Sequence, residues 1–303
     1  MWAALRFHLL PAIKLYLLGF KVLLAQLLNK PLKLPVMPRQ HGKVAIVTGG
    51  GRGIGYEVVR HLARLGAHVI IVEFEKLDLA SLQSIQQFAE SFKKRNLPLN
   101  ILVNNAGVML VPEGRTKDMF EQHFGVNYLG HFLLTWLLLD TLKDSGKSDH
   151  VSCVVNVSSS AHSIGTIRLN DLNSCQHYSA HAAYCQSKLG QVLFSSHLHQ
   201  QMQREGFPVV SCAVDPGMVD TALYQHLCTP LRMAQSLIAR LLFRTPEEGA
   251  ATVLSAALSP AMDGDPAGGY WANGRREMTT LPTFDPQLPL SLWEISLQLL
   301  GLQ

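Results

Sequence analysis

The sequence predicts an α/β fold: one doubly wound domain, an open parallel sheet with helices on both faces, behind an apolar N-terminal segment. Three observations carry that prediction. From residue 44 onward, apolar runs of strand length alternate with helical patterns, beginning with Val44-Ala45-Ile46-Val47 and the helical stretch Tyr56 to Leu65. The first run ends in the glycine turn Thr48-Gly49-Gly50-Gly51-Arg52-Gly53-Ile54-Gly55, which opens that helix. The length of 303 residues, 48 % hydrophobic, is enough to bury one sizeable core.

Residues 1–30 read as a membrane anchor. They are apolar apart from a few residues such as Arg6, His8, Lys14 and Lys21, and no acidic residue precedes Glu57. Lys14 and Lys21 lie seven apart on one helix face and can snorkel, which suits an interfacial helix; a tilted spanning helix of about 20 residues is the other option. Lysines inside the apolar stretch argue against a cleaved signal peptide. Residues 31–40, with Pro31, Pro35 and Pro38, read as a stiff linker, 41–280 as the domain, and 281–303 as an apolar tail around Trp293. That tail packs on the domain, meets a membrane or mediates association.

The net charge of +4 divides into +8 over the first 56 residues and −4 over the rest. The basic residues alternate with leucines rather than stacking groups, so nucleic-acid binding is not expected. Five cysteines without CxxC spacing fit a reducing compartment. The thirteen histidines form no metal-ligand pattern, and His197 and His199 are expected to be solvated.

Four strand ends carry the chemistry. Glycines in the first turn let backbone approach a pyrophosphate at a helix N-terminus. Ile101-Leu102-Val103 ends in Asn104-Asn105-Ala106-Gly107, small residues that admit a flat ligand. Val154-Val155-Asn156-Val157 delivers Ser158, Ser159 and Ser160 at the sheet's C-terminal edge, and Val214-Asp215 leads into Pro216-Gly217-Met218-Val219-Asp220-Thr221. On a following helix, Tyr184 and Lys188 are four residues apart, which stacks a phenol beside an ammonium that favours the phenolate. Downstream, Leu227 to Phe243 mixes leucine, methionine and isoleucine with Arg232 and Arg240. It reads either as a buried lid helix or, on the resemblance that follows, as a greasy, basic cover over the substrate, and Thr245-Pro246-Glu247-Glu248 reads as a capped helix start.

In this order the segments resemble the short-chain dehydrogenase/reductase family over roughly residues 41 to 275. The resemblance implies a Rossmann-like fold and a set of roles. Ser159 binds the substrate oxygen, Tyr184 exchanges the proton, Lys188 holds the nicotinamide ribose and lowers the tyrosine pKa, and Asn127 completes a water-linked proton relay. NADP or NAD is held by Thr48, Gly49, Arg52, Gly53, Ile54, Gly55, Asp78, Asn105, Ala106, Gly107, Pro216, Gly217, Val219 and Thr221, together with Tyr184 and Lys188. Arg52 beside Gly53 tilts the choice toward NADP, since a guanidinium pairs with a 2′-phosphate. Ser159 is the functional serine because the run Val157 to Gly165 resembles the retinol-dehydrogenase-like branch; Ser158 and Ser160 then brace the strand end. Tyr178 is read as a loop tyrosine.

Within that branch, Arg60 to Gly66, Asn127 to Thr135 and Phe243 to Ala250 resemble a member acting on long isoprenoid alcohols. The implied reaction interconverts polyprenol and polyprenal, or dolichal and dolichol. A retinol or hydroxysteroid substrate is the alternative. The implied partners are a lipophilic small molecule and a membrane or lipid-droplet surface, with the endoplasmic reticulum or lipid droplet as the location and homo-oligomerisation open.

One departure is large. After His68-Val69-Ile70-Ile71-Val72, Asp78-Leu79 follows within six residues, whereas a crossover with its helix needs at least about 10 residues. The second and third strands are therefore expected to be merged, with one helix missing and Val72-Glu73-Phe74 as a remnant of the third strand. The rival reading makes Glu73 the acidic residue that binds the adenosine ribose. The missing piece normally grips the adenosine end, so a catalytically inactive shortened isoform with a binding or regulatory role is the third functional reading.

Overall fold

The computed structural model describes residues 5–29, 32–34, 36–72, 77–147, 150–227, 238–239, 242–258, 269–277 and 285–302. Among these, seven strands form one sheet in the order β2-β1-β3-β4-β5-β6-β7. The strands are β1 (Val44–Val47), β2 (His68–Ile71), β3 (Ile101–Asn104), β4 (Ser152–Val157), β5 (Val209–Asp215), β6 (Tyr270–Ala272) and β7 (Arg275–Glu277). All pairs are parallel except the last hairpin, β6 and β7. That hairpin turns on Asn273 and Gly274, both at positive φ (51° and 66°), the pairing a two-residue hairpin turn of this hand requires.

The central strands read as unbroken apolar runs because helices cover both faces. β1 and β3 are buried at every residue. One face carries α2 (Gly53–Arg64) and α6 (Pro246–Leu258), and the other carries α3 (Leu82–Lys93), α4 (Gly130–Ser145) and α5 (Ala180–Glu205). Local signals set the helix starts. Ser81 Oγ accepts from Ser84 N at 3.3 Å, and Thr245 and Glu248 exchange the two bonds of a capping box at 2.8 and 3.2 Å.

The chain steps from β1 outward to β2 and then back across to β3, so the winding reverses between β1 and β3, where ligands bind in such sheets. On the outer side of β1 the described residues hold β2 alone, with no helix between Ile71 and Leu82. This agrees with a merged strand and a lost helix; Glu73 and Phe74, on which the finer readings turn, lie outside the described residues.

Four expectations change or sharpen. The N-terminal helix α1 (Leu10–Leu28), preceded by a π turn over Leu5–Leu9, lies against the domain. Residues Leu34 and Met37 of the linker segment pack on the core beside β1. The tail forms α7 (Gln287–Leu299), which buries Leu292 and Trp293; the Trp293 ring lies 4.8 Å from Phe132 and 5.9 Å from Phe194, and Ser296 Oγ meets Tyr128 Oη at 2.8 Å. The reading of His197 and His199 is corrected as well: both are buried rather than solvated, and His197 lies 4.8 Å from the Trp293 ring. Most of the expected cover, including Arg232 and Arg240, lies outside the described residues.

Candidate active site

A cavity of about 970 Å³ opens at the C-terminal edge of the sheet. Its wall takes Thr48, Gly49, Arg52, Gly53 and Ile54 from the glycine turn, Asp78 from the shortened connection, Asn105, Ala106 and Gly107 after β3, and Ser159 after β4. Tyr184 and Lys188 of α5 and Pro216, Gly217, Val219 and Thr221 after β5 complete it. Gly55 and Asn127, also expected at the site, sit behind this wall rather than in it.

The glycine turn is shaped by backbone. Gly49 and Gly53 have φ of +65° and +55°, which side chains rarely tolerate. A Cβ on Gly55 would lie 2.2 Å from Gly49 O and 2.5 Å from Asn105 Nδ2, so helix and turn touch directly. Asn105 Nδ2 donates to Thr48 O at 2.8 Å and Gly49 O at 3.3 Å, stitching the turn to the end of β3.

Thr48 anchors a second stitch that sequence reading missed. Its Oγ1 accepts N–H bonds from Asn105 (2.9 Å) and Ala106 (3.0 Å) and lies 3.0 Å from His131 Nε2. His131 Nδ1 lies 3.0 Å from the Asn127 carbonyl, which only accepts. Nδ1 therefore carries the proton, and Thr48 donates to Nε2. Burial lowers the His131 pKa to about 4, which keeps the ring neutral as this pattern requires.

Asn127 lies in a π turn over Phe124–Leu129 that leads into α4. Its Oδ1 accepts from Val108 N at 2.8 Å, and its Nδ2 donates to Val108 O and Ser187 Oγ, each at 3.0 Å. The side chain thus fixes the segment after Gly107 against the helix that carries Tyr184.

Lys188 is buried. Its Nζ donates to Val157 O at 2.8 Å and Gln191 Oε1 at 3.0 Å and sits 5.8 Å from the Tyr184 ring centroid. Burial lowers its pKa to about 8, while the Asp215 carboxylate opposes that fall. The Tyr184 phenol is moved upward by burial, reinforced chiefly by Tyr224 and opposed by a hydrogen bond with Ser159. The depressed phenol expected from the Lys188 spacing is thus not what this pocket produces, because desolvation outweighs an ammonium held toward Val157. Ser159 Oγ also accepts from Ala161 N at 3.2 Å, and Ser158 Oγ donates to Lys188 O at 2.8 Å as a strand-end brace.

The turn after β5 is held from three sides. Asp215 Oδ1 accepts from Gly217 N at 2.8 Å, buried Arg244 donates to Pro216 O at 3.1 Å, and Gln26 of α1 accepts from Met218 N at 2.6 Å. Arg244 and Gln26 carried no site signal in sequence, since each acts across a long chain separation.

These residues fit a dinucleotide. The turn has room only for backbone, the N-cap of α2 at Arg52 has no side-chain hydrogen bond to compete with a phosphate, and an ammonium with three donors has used two. Exposed Arg52 and Asp78 line the same wall, and Asp78, held 2.8 Å from Lys117, has its pKa lowered mainly by that hydrogen bond. Among the described residues no group of histidine, cysteine and carboxylate side chains is arranged to hold a metal.

Comparisons with known proteins agree with this geometry. The family model for short chain dehydrogenase matches residues 43–76 and 72–230, two pieces that meet at the shortened connection. A polyprenol dehydrogenase of Danio rerio is 50% identical with 100% of both chains covered, over an alignment of 326 positions against 303 residues in this chain. The surplus positions are gaps in this chain, as a deletion requires. Human retinol dehydrogenase 12 is 40% identical, covering 86% of this chain and 87% of its own. An uncharacterized protein from Mycobacterium Paratuberculosis superposes with a TM-score of 0.70 at 29% identity, over 90% of this chain and 98% of that one. A short chain dehydrogenase from Burkholderia cenocepacia solved with NADP shares the fold, with a TM-score of 0.57 at 20% identity over 77% of this chain and 97% of its own. On sequence, fold and site together, the chain belongs to the short-chain dehydrogenase family.

Proposed function

We propose that the protein is an NAD(P)-dependent oxidoreductase that interconverts a long lipophilic alcohol and its aldehyde, with polyprenol/polyprenal and dolichal/dolichol as the preferred pairs. The observation that carries the reading is the convergence of Ser159, Tyr184 and Lys188 on one cavity whose other wall is a backbone-only glycine turn. When bound, the nicotinamide supplies or accepts the hydride. Ser159 and Tyr184 hydroxyls bind the substrate oxygen, where negative charge grows during reduction, so their stabilisation is greatest in the transition state. Tyr184 then gives its proton to that oxygen. A phenol raised by burial keeps its proton at neutral pH, which suits the donor role. Lys188 offers its remaining N–H to the ribose, and Asp215 and Gln191 keep it charged and aimed. The relay role of Asn127 rests on its carbonyl, which His131 shares.

Substrate length follows from the relatives and from the cavity, whose lining adds apolar side chains such as Leu15, Leu18, Met109 and Leu223 to the polar wall. The retinol reading keeps the same chemistry with a shorter, stiffer alcohol and is supported by retinol dehydrogenase 12. The apolar α1 supports attachment to a lipid surface, for which the endoplasmic reticulum or a lipid droplet is the location we propose. The test is a fluorescence titration of the full chain with NADPH and NADH, followed by turnover of a polyprenal and of retinal. Micromolar binding and faster polyprenal reduction are expected; absence of binding by either nucleotide would falsify the enzymatic reading and leave the shortened, inactive form.

A further inference from the structure

The helix α1 is apolar apart from Lys14, Lys21 and Gln26, and its two sides meet different surroundings. Its inner side is half-buried: Leu15, Leu18, Gly19 and Leu23 line the same cavity as Ser159 and Tyr184. It is locked there by Gln26, whose Oε1 accepts from Met218 N at 2.6 Å and whose Nε2 donates to Met218 O at 3.3 Å. The outer side is a continuous exposed stripe of Leu10, Ile13, Leu17, Phe20, Leu24 and Leu27, with Leu17 64% and Phe20 62% exposed; Phe20, at the rim, also lines the cavity. Spacings of three and four keep these side chains on one helix face. Lys14 and Lys21 stand exposed at the margin of that stripe.

We propose that α1 lies in the plane of a lipid surface as the outer wall of the substrate cavity, so that a lipid alcohol reaches Tyr184 directly from the bilayer beneath this helix. A spanning helix would need lipid on every side, but the inner side of α1 is held to the turn after β5 and faces the cavity. An uncovered stripe of six large apolar side chains belongs against another apolar phase. The flanking lysines identify that phase as a lipid surface with anionic headgroups, since long cationic side chains snorkel there and no acid in the first 56 residues opposes them. The wall is then shared: protein on one side, acyl chains on the other. The chemical class of the substrate rests on the oxidoreductase reading; the placement of the helix does not.

Adjacent residues give the test, because Leu17 points outward and Leu18 lines the cavity. The full chain, carrying a photo-cross-linking side chain at position 17 or 18, is bound to phosphatidylcholine/phosphatidylserine vesicles containing a long isoprenoid alcohol. Position 17 is expected to label phospholipid and position 18 the isoprenoid alcohol. Equal phospholipid labelling at both would show a helix immersed on all sides and overturn the proposal, as would labelling of a second copy of the chain from position 17. In a second arm, Leu18→Trp should lower the ratio of kcat/KM for a long isoprenoid aldehyde to that for a short soluble aldehyde at least tenfold; an unchanged ratio also overturns it. If the wild type reduces neither aldehyde, the oxidoreductase reading falls, while the cross-linking pattern still decides where the helix lies.

Discussion

The two ends of the cleft are built differently. Around Ser159 and Tyr184, polar groups are buried and held by more than one partner: Lys188 by Val157 and Gln191, His131 by Thr48 and Asn127, Asp215 by Gly217 and Tyr270. Around Asp78, by contrast, the ion pair with Lys117 is open to water, with side-chain exposures of 48% for Asp78 and 68% for Lys117, and among the described residues the sheet stops at β2. Chemistry demands preorganised donors, because an ångström of looseness is felt in the transition state. Grip on the far end of a cofactor is affinity, which can be reduced by degrees. Losing a helix there is expected to subtract binding without disturbing the reacting geometry.

The largest effect should come from the buried end. Tyr184→Phe removes the proposed proton donor while keeping the ring, and should cost about 10²–10⁴-fold in kcat for aldehyde reduction, read in single-turnover assays. Wild-type rates in the variant would mean that the buried end is scaffold only. Gly55→Ala strikes the seam between the ends: its methyl would meet Gly49 O at 2.2 Å, and backbone cannot give way as a side chain does. At least tenfold weaker NADPH binding is expected, with a lowered Tm.

Much of this division was legible in the chain. Strand runs, the glycine turn, Ser81 and Thr245 are local signals, and local signals set local structure. The deletion was legible as arithmetic, because five residues between Val72 and Asp78 cannot hold a helix. What escaped was everything that depends on a distant partner. Gln26 finds Met218 across 192 positions, and α7 brings Trp293 within 4.8 Å of the buried His197. The meaning of His131 likewise comes from Thr48, 83 positions away. The pKa of Tyr184 was misjudged for a related reason, since spacing reports a neighbour but not the burial that overrides it.

His131→Phe sharpens the comparison by removing only the stitch behind the buried end. The Asn127 carbonyl loses an N–H donor and Thr48 an acceptor, which should cost about 2–3 kcal/mol in denaturant unfolding. A pH signature separates this from lost packing. In the native protein His131 titrates at about 4 instead of 6.5, so between those values the unfolded chain binds a proton that the native state refuses. Its contribution is complete above pH 6.5 and falls by about 3 kcal/mol as pH drops toward 4. The variant should therefore lose stability more gently on acidification, with the remaining slope carried in part by His162, His197 and His199, also lowered by burial. An identical slope in both proteins would show that the ring is not held neutral by this network.

The smallest effect belongs to the open end. Arg52 is exposed on the cavity wall at the N-terminus of α2, where a phosphate already finds free N–H groups and the positive end of the helix dipole. Arg52→Ala should therefore weaken NADPH by about tenfold at most, because an exposed charge pair is screened, and leave NADH within about twofold. The discriminating quantity is the ratio of the two dissociation constants at low and high salt. If Arg52 meets the 2′-phosphate, the wild-type preference for NADPH should shrink as salt rises and should be absent in the variant at both salts. A preference that survives in the variant would move the recognition of that phosphate onto the segment between Val72 and Asp78, and would mean that the shortened end is a rebuilt site rather than a reduced one.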